Sequence, residues 1–381
     1  MTQKRVPEAY ARLGIKPIIN AQSWVTALGG SLMRPEVLQA MNEAATAFVD
    51  MTELNLAAGK VVARACGAEA GLVTAGASAS QTIAAASCMT GTDEAKVEQL
   101  PDTTGMKDQI LIFKGERNRY DMAFEVPGGR LVEWGMLGGA KPYQLEAAIT
   151  DRTAAIATIF GPFIRRGLPL PELCAIAHRR GVPVIVDAAA EVPPMENLTK
   201  FIKQGADLVL FSGGKGIGGP QNAGLLAGRK DLIDAAIANS LNLHSPRAGI
   251  ARGMKVSKES MVGMVTALEL FLETDEQSLL AGWRNKAEYI QGRLRGIPGL
   301  RVAIEGPDAN RQGVQPVIYF DSGYAGPSPA EIRKRLLVGD PPIHVGGGGY
   351  RDEINMAMVN VQDGEEKIIA DRLLAILKPK R

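Results

Sequence analysis

Histidine is almost absent from this sequence, and its scarcity disfavours metal chemistry. The 381 residues include only three histidines, His178, His244 and His344. None lies within four residues of another, so a local helical pair of imidazole ligands cannot form. The sequence therefore predicts a functional site without a metal ion.

Cysteine, net charge and long apolar runs are also limited. Cys66, Cys88 and Cys174 are odd in number and form no C-x-x-C pair, which is typical of a reduced intracellular protein with buried thiols. The formal charge is only +2, and no concentrated basic patch of the kind that binds nucleic acid occurs. The sequence contains no apolar run long enough to span a membrane and no apolar region typical of a signal peptide. We therefore expect a soluble, cytoplasmic protein with neither a nucleic acid nor a membrane as partner.

Glycine, by contrast, is plentiful, and short apolar runs alternate with helical patterns. Glycine accounts for 43 residues. Between residues 68 and 228 the alternation of buried-strand and helix patterns indicates a mostly parallel sheet with helices on both faces. The strand patterns are GLVTA, QILIF, LVEW, AAIATIF, VPVIVDA, DLVLF and AGLLAG. The predicted fold class is therefore α/β.

The flanking segments predict a second, smaller domain. Residues 255–298 have the apolar spacing of two long helices, and strand-like and helical runs alternate from Leu300 onward. This pattern is typical of an α+β unit, and we expect the first 45 residues to pack with it. The sequence thus predicts a large α/β domain over residues 46–254 and a small α+β domain formed by residues 1–45 and 255–381.

The most informative window is DLVLFSGGKGIGG, residues 207–219. A buried strand runs into Ser212 and delivers Lys215 at its end, where open sheets of this kind bind ligands in a crevice. The neighbouring glycines remove side chains that would block a flat ligand. A phosphate-binding loop would have Ser or Thr after the lysine, but Gly216 follows it. The window fits a Schiff-base lysine better, since a desolvated amine can form an imine with an aldehyde cofactor.

Two further strand ends carry groups that complement such a cofactor. The strand in VPVIVDAAAEVPP ends in Asp187, and a carboxylate in an apolar setting needs a cation such as the protonated ring nitrogen of pyridoxal phosphate. In LVTAGASASQTIAAA a strand leads through a turn at Gly76, Ala77 and Ser78 into a helix, whose free amides and positive dipole end suit a phosphate. Ser212 is placed to add a hydrogen bond. The ordered set predicts pyridoxal 5'-phosphate as the cofactor.

These motifs resemble fold-type I pyridoxal-phosphate enzymes, and specifically the branch that contains bacterial selenocysteine synthase and D-glucosaminate-6-phosphate ammonia-lyase. The resemblance extends over nearly the whole chain, in YARLGIKPIINAQSWVTALGGSLMRPEV, GAEAGLVTAGASAS, VIVDAAAEVPP and FSGGKGIGGPQNAGLLAG. It implies the fold-type I transferase-like architecture. It also implies that Lys215 is the imine lysine and that Asp187 is the acid at the ring nitrogen. The residues near the phosphate would be Gly76, Ala77, Ser78 and Ser212.

Cations that bind the substrate are suggested by the same resemblance. In RGMKVSK, Arg252 and Lys255 lie three residues apart and so share one face if the segment is helical. The matching segment of selenocysteine synthase supplies arginines that bind an anion, which makes both residues candidates for a substrate carboxylate or phosphate. Lysine in place of the second arginine loses bidentate geometry, and a solvated basic face is the alternative interpretation. Lys60, in LNLAAGK, resembles another anion contact, and Arg34 would lie near the site by analogy.

Two more residues follow strand ends and have open roles. Tyr120, after ILIFKGERNR, is our candidate for the side chain that covers the cofactor ring, and the alternative is a half-buried surface tyrosine. Glu191, at the end of DAAAE, is either a contact to the ring hydroxyl or substrate, or an acid at a helix N-terminus.

The cofactor fixes the class of reaction. When an amino acid replaces Lys215 as the imine partner, the freed amine can remove the α-proton while the ring acts as an electron sink. With a hydroxyl on the β-carbon, elimination gives an enamine that loses ammonia. We therefore expect an ammonia-lyase or dehydratase that converts a 2-amino-3-hydroxy acid, an amino sugar acid or its 6-phosphate, to a 2-keto-3-deoxy acid.

Other reactions use the same residues. Racemisation, aldol cleavage and transamination would need the same Lys215 and Asp187. Selenium transfer to seryl-tRNA is a further alternative, but selenocysteine synthases carry an additional helical tRNA-binding region before the segment similar to YARLGIKP, and the near-neutral charge disfavours a tRNA partner. A cofactor-binding protein without catalytic activity is the alternative of another class. By resemblance, we expect a homodimer or higher homo-oligomer.

Overall fold

The fold is built from short strands and helices, and the computed structural model describes residues 7–161, 166–241, 248–308, 311–348 and 352–377. The strands are β1 Ile19–Ala21, β2 Ala70–Thr74, β3 Gln109–Phe113, β4 Arg130–Trp134, β5 Thr153–Ile159, β6 Val184–Asp187, β7 Leu208–Ser212, β8 Gly224–Gly228, β9 Leu300–Glu305, β10 Gln315–Phe320, β11 Ile343–Gly347 and β12 Ile354–Asn355. The α-helices are α1 Glu8–Ala11, α2 Pro35–Ala45, α3 Met51–Cys66, α4 Ala77–Thr90, α5 Glu94–Gln99, α6 Pro142–Ala148, α7 Leu170–Arg179, α8 Asn197–Lys203, α9 Lys230–Leu241, α10 Lys258–Leu272, α11 Glu276–Leu294, α12 Pro329–Leu337 and α13 Glu365–Leu377. Short 3-10 helices lie at Thr26–Leu28, Lys114–Glu116, Asp121–Phe124, Ile250–Met254 and Met358–Asn360.

The chain divides into a larger unit, Ser31–Thr274, and a smaller unit made of Met1–Gly30 and Asp275–Arg381. The sequence instead placed residues 31–45 and 255–274 with the small domain. Helices α2 and α10 join the larger unit because Val37 of α2 is buried in the same apolar cluster as Met261, Met264 and Leu268 of α10. The apolar stripe of each helix is covered there, so the boundaries fall outside these two helices.

The larger unit contains a seven-stranded sheet in the order β2-β8-β7-β6-β5-β3-β4. All neighbours from β7 to β4 pair in parallel, whereas β8 runs antiparallel to both β7 and β2. Each of the seven strand patterns in the sequence corresponds to one of these strands. The mostly parallel α/β sheet expected from the sequence is therefore confirmed.

Both faces of this sheet are buried, as its continuous apolar strands predict. In β3, Leu111 and Phe113 belong to one core cluster, while Ile110 and Ile112 belong to the other. The alternation follows from the two-residue repeat of a strand. Helices α3, α7, α8 and α10 contribute to the first cluster, and α4 and α9 to the second. Apolar side chains thus fill both faces of the sheet, and its polar groups lie at the two edges formed by the amino and carboxyl ends of the strands.

The carboxyl ends of β5, β6 and β7 lie side by side. Ile159 pairs with Asp187, and Asp187 pairs with Leu210, two residues before the end of β7. Ligands of open α/β sheets bind beyond this edge of the strands. The predicted Asp187 and Lys215 are therefore brought to the edge at which a ligand is expected.

The smaller unit is an α+β structure with its own core. Its five-stranded sheet has the order β1-β11-β12-β10-β9, in which β1 pairs with β11 in parallel and the other pairs are antiparallel. Trp283 and Ile290 of α11 and Leu373 of α13 are buried with Ile318 of β10. The two long helices expected over residues 255–298 are present as α10 and α11, but only α11 belongs to this unit.

Neither membrane-spanning helices nor clusters of metal ligands occur within the described ranges. No helix there is long and apolar enough to cross a membrane, and no group of three or more His, Cys, Asp or Glu side chains is arranged to hold a metal ion.

The three cysteines form no disulfide. Cys66, Cys88 and Cys174 are free thiols, and burial raises the pKa of Cys66 and of Cys174 to about 12. These two thiols are therefore inert in the folded protein.

The amino edge of the large sheet carries a buried ionic cluster around Asp207. This carboxylate accepts hydrogen bonds from the Val184 backbone amide at 2.8 Å and from Arg229 Nη1 at 3.1 Å. The Nε2 atom of His178 lies 2.8 Å from the same carboxylate, so this histidine is at the edge opposite to Lys215. The cluster joins the starts of β6 and β7 to the end of β8, and its role is structural.

Replacing the shared carboxylate should destabilise the fold. We expect Asp207→Ala to lower the free energy of unfolding by about 2 kcal/mol, because the Val184 amide loses its acceptor, Arg229 loses an ion-pair partner and His178 loses a hydrogen-bond partner. The loss is smaller than for a fully buried pair because His178 and Arg229 reach solvent. Urea denaturation measures it. Asp231→Ala is the matched control, since exposed Asp231 pairs with the same Arg229, and its effect should stay below about 1 kcal/mol. Equal losses in the two variants would contradict this account of the cluster.

Candidate active site

The turn between β2 and α4 forms the first part of the site. Gly76 has a φ of 97°, in the region that favours glycine, and a Cβ placed on it would project into open space. Its carbonyl accepts hydrogen bonds from the Ser80 amide at 3.0 Å and from the hydroxyls of Thr74 and Ser80 at 3.2 and 3.3 Å. The turn is thereby held so that the first amides of α4, from Ala77 onward, are free of intrahelical partners and can bind an anion.

Asp187 occupies the end of β6 and is 6% exposed. Its carboxylate accepts hydrogen bonds from Gln81 Nε2 at 2.6 Å and from the Ala189 amide at 2.9 Å. Burial raises the pKa of Asp187 to about 6, and the Ala189 amide, the nearby Lys215 charge and the Gln81 hydrogen bond oppose this rise. A carboxyl with such a pKa is poised to ionise when a cation binds beside it.

Lys215 lies in the turn after β7 and is half-buried. Burial lowers the pKa of its amine below the usual lysine value, while the charges of Asp187 and Glu191 act in the opposite direction. The lowered pKa increases the neutral, nucleophilic fraction of the amine near pH 7, which Schiff-base chemistry requires. Two carboxyls and one amine therefore interact within one buried site.

The glycines around Lys215 are needed for packing between the loops of the site. A Cβ on Gly214 would lie 2.4 Å from the Gln221 Cα atom, and one on Gly216 would lie 2.1 Å from the Val192 carbonyl oxygen. A Cβ on Gly224, in the strand beside Ser212, would lie 2.7 Å from the Gly76 carbonyl carbon. The expectation that the glycines beside Lys215 leave space for a flat ligand is therefore wrong for Gly214 and Gly216. Their missing side chains are replaced by the protein's own backbone.

Ser212, the last residue of β7, is half-buried beside Gly224. Because a Cβ on Gly224 would contact Gly76, β8 connects Ser212 to the anion-binding turn. Ser78, in the first turn of α4, is exposed. The structure thus brings Gly76, Ala77, Ser212, Asp187 and Lys215 to one edge of the sheet.

Sequence reasoning did not identify two buried polar residues at this edge. Gln81, which is 1% exposed, holds Asp187 from the second turn of α4. Glu116, which is 2% exposed, accepts hydrogen bonds from Thr158 Oγ1 at 2.8 Å and from the Ile159 amide at 2.9 Å. The available signals were a glutamine inside an alanine-rich helix and an acid in the 3-10 helix Lys114–Glu116 that follows the apolar strand β3.

The side chains of Tyr120, Arg252 and Lys255 are exposed. Tyr120 precedes the Asp121–Phe124 3-10 helix and is 59% exposed. Arg252 lies within the Ile250–Met254 3-10 helix, and Lys255 follows it in extended conformation. The condition for a shared helical face, a helix that includes both residues, is therefore not met, and both side chains are exposed. Their roles stay predictions.

Lys60, Arg34 and the two remaining histidines were also singled out from the sequence. Lys60, on α3, lines a cavity of about 600 Å³ beside the start of β2, whereas Gly76 follows the end of that strand. Arg34 donates to Thr274 Oγ1 at 2.9 Å. His344 lies in β11 of the smaller unit, and burial lowers its pKa. His244 lies outside the described residues.

The residues at the sheet edge fit pyridoxal phosphate. The charge of the buried Asp187 carboxylate is only partly compensated by Lys215, so burial still raises its pKa. The Gly76 turn faces open space with free amides, as a phosphate requires. Lys215 supplies an amine with a lowered pKa. The donor set therefore matches an aldehyde cofactor that carries a phosphate and a basic ring nitrogen.

The fold and the site together define a fold-type I pyridoxal-phosphate enzyme. The chain belongs to the L-seryl-tRNA selenium transferase (SelA) family, which matches residues 18–281. This confirms the family resemblance and the cofactor expected from the sequence.

Three known proteins show how the chain relates to this family. It is 34% identical over 375 residues to the 5'-C-glycyluridine monooxygenase-decarboxylase of Streptomyces sp, covering 94% of this chain and 90% of the relative. It is also 34% identical over 377 residues to the D-glucosaminate-6-phosphate ammonia lyase of Salmonella typhimurium (strain 14028s / SGSC 2262), covering 97% and 98%. A solved structure of D-glucosaminate-6-phosphate ammonia-lyase superposes with a TM-score of 0.85 at 33% identity, covering 98% of this chain and 99% of that one.

The buried carboxyl should destabilise the protein when the cofactor is absent. The folded-state pKa of Asp187 is about 6, above its ordinary 3.8, so the folded chain binds this proton more tightly than the unfolded chain. Stability therefore falls as pH rises between these two values and stays lower above them. We expect Asp187→Asn to stabilise the cofactor-free protein by about 2 kcal/mol at pH ~7.5, with no gain near pH ~4.

Urea denaturation at these two pH values measures the effect, and Asp231→Asn is the control for a carboxylate that is exposed. The same Asp187→Asn protein should bind pyridoxal phosphate more weakly, as followed by quenching of tryptophan fluorescence. A gain in stability that is the same at both pH values would contradict the assigned pKa.

Proposed function

We propose that the protein is a pyridoxal-phosphate-dependent ammonia-lyase that acts on a 2-amino-3-hydroxy acid. The observation that carries the proposal is that three groups lie at one edge of the sheet. Lys215 has a lowered pKa, Gln81 holds the carboxyl of Asp187, and the Gly76 turn precedes α4. The ammonia-lyase relatives, which match nearly the full length of the chain, support the same reaction.

Each residue of the site has a role in this reaction. Bound pyridoxal phosphate supplies an electron sink for the charge that develops at the substrate α-carbon. The amides at the start of α4 and the Ser212 hydroxyl would hold its phosphate, and Asp187 would keep a proton on its ring nitrogen. Lys215 would hold the aldehyde carbon of the cofactor, and its amine would remove the proton from the substrate α-carbon. Gln81 fixes the orientation of Asp187 throughout.

The substrate class follows from the relatives and from the chemistry of elimination. One relative is named for D-glucosaminate 6-phosphate, a 2-amino-3-hydroxy acid. We infer that an amino sugar acid or its 6-phosphate loses water here to give an enamine. Water then hydrolyses the imine form of this enamine, which releases ammonia and leaves a 2-keto-3-deoxy acid. Arg252 and Lys255, both exposed, are our candidates for contacts to the anionic groups of the substrate, and Lys60 is a third.

The assembly and its location are further parts of this proposal. We propose a homodimer or higher homo-oligomer in the cytoplasm. Large apolar side chains are exposed on the segments that follow β3 and β4, among them Tyr120, Met122, Met136 and Leu137, and a second copy of the chain would cover them. Three free thiols fit a reducing compartment.

Loss of the lysine amine should abolish the reaction. We expect the purified protein to absorb visible light when loaded with pyridoxal phosphate, and borohydride to fix the cofactor on Lys215, as located by peptide mass spectrometry. A panel of 2-amino-3-hydroxy acids, with and without a 6-phosphate, should yield ammonia and keto acid in equal amounts. Lys215→Ala should lower this rate by more than about 10³-fold, whereas Lys200→Ala, an exposed lysine on α8, should not change it.

Two results would contradict the proposal. Full turnover by Lys215→Ala would remove the assigned mechanism. Exchange of the α-proton into heavy water by the wild type, with no keto acid from any member of the panel, would favour the racemase alternative.

The basic pair can be tested separately. If Arg252 binds the substrate phosphate, Arg252→Ala should raise KM for the phosphorylated substrate by about 10-fold or more and leave kcat nearly unchanged, because the contact is the same in ground and transition states. KM for the unphosphorylated substrate should not change. Equal increases for both substrates would instead place Arg252 at the carboxylate, and no increase for either would exclude it from the substrate site.

A further inference from the structure

Glu191 is a buried acid next to the lysine turn. It is 9% exposed. Its amide donates to the Ala188 carbonyl at 3.0 Å, and its own carbonyl accepts a hydrogen bond from Asn197 Nδ2 at 2.6 Å. These bonds fix the backbone of Glu191 four residues beyond Asp187. The position is thus part of the rigid sheet edge and not of a free loop.

The Glu191 loop contacts the lysine turn directly. The carbonyl of Val192, the next residue, lies 2.1 Å from the position that a Cβ of Gly216 would take, so only glycine allows this approach. Gly216 follows Lys215 immediately. The negative charge of Glu191 opposes the fall in the Lys215 pKa that burial causes.

The structure decides between the two roles that the sequence left open for Glu191. The next helix, α8, begins only at Asn197 and is capped by Glu196. Glu191 is therefore not a helix N-terminal acid, and its burial next to Lys215 places it with the groups that act on the substrate.

Elimination of water needs a proton donor at the β-hydroxyl as well as a base at the α-carbon. Lys215 removes the α-proton, and a hydroxyl on the β-carbon leaves readily only when an acid protonates it. Asp187 is held by Gln81 and by the Ala189 amide, and it would bind the ring nitrogen of the cofactor. Glu116 accepts from Thr158 and Ile159 between β3 and β5. Among the described residues, Asp187 and Glu191 are the buried carboxyls whose charges act on Lys215, and Asp187 is already assigned to the ring nitrogen.

We propose that Glu191 is the general acid that protonates the departing β-hydroxyl. The carboxyl O–H of Glu191 gives its proton to the hydroxyl oxygen as the Cβ–O bond breaks, and the bonding electron pair leaves with the oxygen as water. Glu191 becomes a carboxylate and regains a proton from solvent before the next turnover. No oxidant or reductant is consumed. This inference rests on the proposed ammonia-lyase function.

A change of leaving group separates this role from a structural one. Glu191→Gln keeps the size of the side chain and removes its acidic proton. It should lower the rate of keto acid release from a 2-amino-3-hydroxy acid by about 10²- to 10⁴-fold. With a 2-amino-3-chloro acid the loss should be less than about 5-fold, because chloride leaves without protonation. Glu196→Gln is the matched control from the same loop, since Glu196 is exposed, and it should leave both rates unchanged.

Cofactor binding provides a readout that does not depend on turnover. The dissociation constant of pyridoxal phosphate from Glu191→Gln, from fluorescence titration of the cofactor-free protein, should stay within about 3-fold of wild type. A loss that is equal for the hydroxy and chloro substrates, or no loss with the hydroxy substrate, would overturn the role of Glu191 while the ammonia-lyase function stands. If the wild type releases ammonia from the chloro acid but from no hydroxy acid, the proposed function fails and the role of Glu191 fails with it.

Discussion

The site depends on one unfavourable arrangement, the burial of the Asp187 carboxyl at the end of a strand whose two faces are covered by apolar helices. Burial alone would keep this group protonated, and its pKa rises to about 6 as a result. Gln81 and the Ala189 amide hold the carboxyl in one orientation and limit the rise. The protein thus keeps a carboxyl that only a bound cation can fully stabilise, which is what a protonated ring nitrogen provides.

The two edges of the large sheet treat buried acids in different ways. At the amino edge, Asp207 is surrounded by the Val184 amide, Arg229 and His178, and its charge is compensated within the chain. At the carboxyl edge, Asp187 accepts hydrogen bonds from neutral donors, Gln81 and the Ala189 amide, and the Lys215 charge offsets only part of the rise in its pKa. The contacts of Asp207 stabilise the fold, whereas the Asp187 carboxylate gains its full electrostatic stabilisation only when a cationic ligand binds.

Backbone packing explains how the catalytic groups are brought together. Gly216 and Gly224 each allow the backbone of another segment to approach within a distance that any Cβ would block. Gly216 connects the Lys215 turn to the Glu191 loop, and Gly224 connects β8 to the Gly76 turn. A substitution at either position would displace a functional segment, although neither glycine contacts a ligand through a side chain.

Much of this could be predicted from the sequence, for identifiable physical reasons. The apolar strands and the helical spacing determined the parallel sheet, since both faces of such a sheet must be buried. The order of the Gly76 turn, Asp187 and Lys215 along the chain determined the class of cofactor, because parallel strands deliver their carboxyl ends to one edge. Domain boundaries were less accurate, because α2 and α10 have apolar stripes that fit either unit until their packing partners are known.

Only the tertiary structure decided which residues far apart in the chain contact each other. Gln81 reaches Asp187 across 106 positions, and its sequence context, an alanine-rich helix, gives no sign of that partner. The same holds for Glu191, whose relation to Lys215 is set by the close approach of Val192 to Gly216. Local sequence determines which strand, turn and helix form, because those depend on nearby residues. The pKa values and the pairing of acid with amine depend on burial and distance, which exist only after the chain has folded.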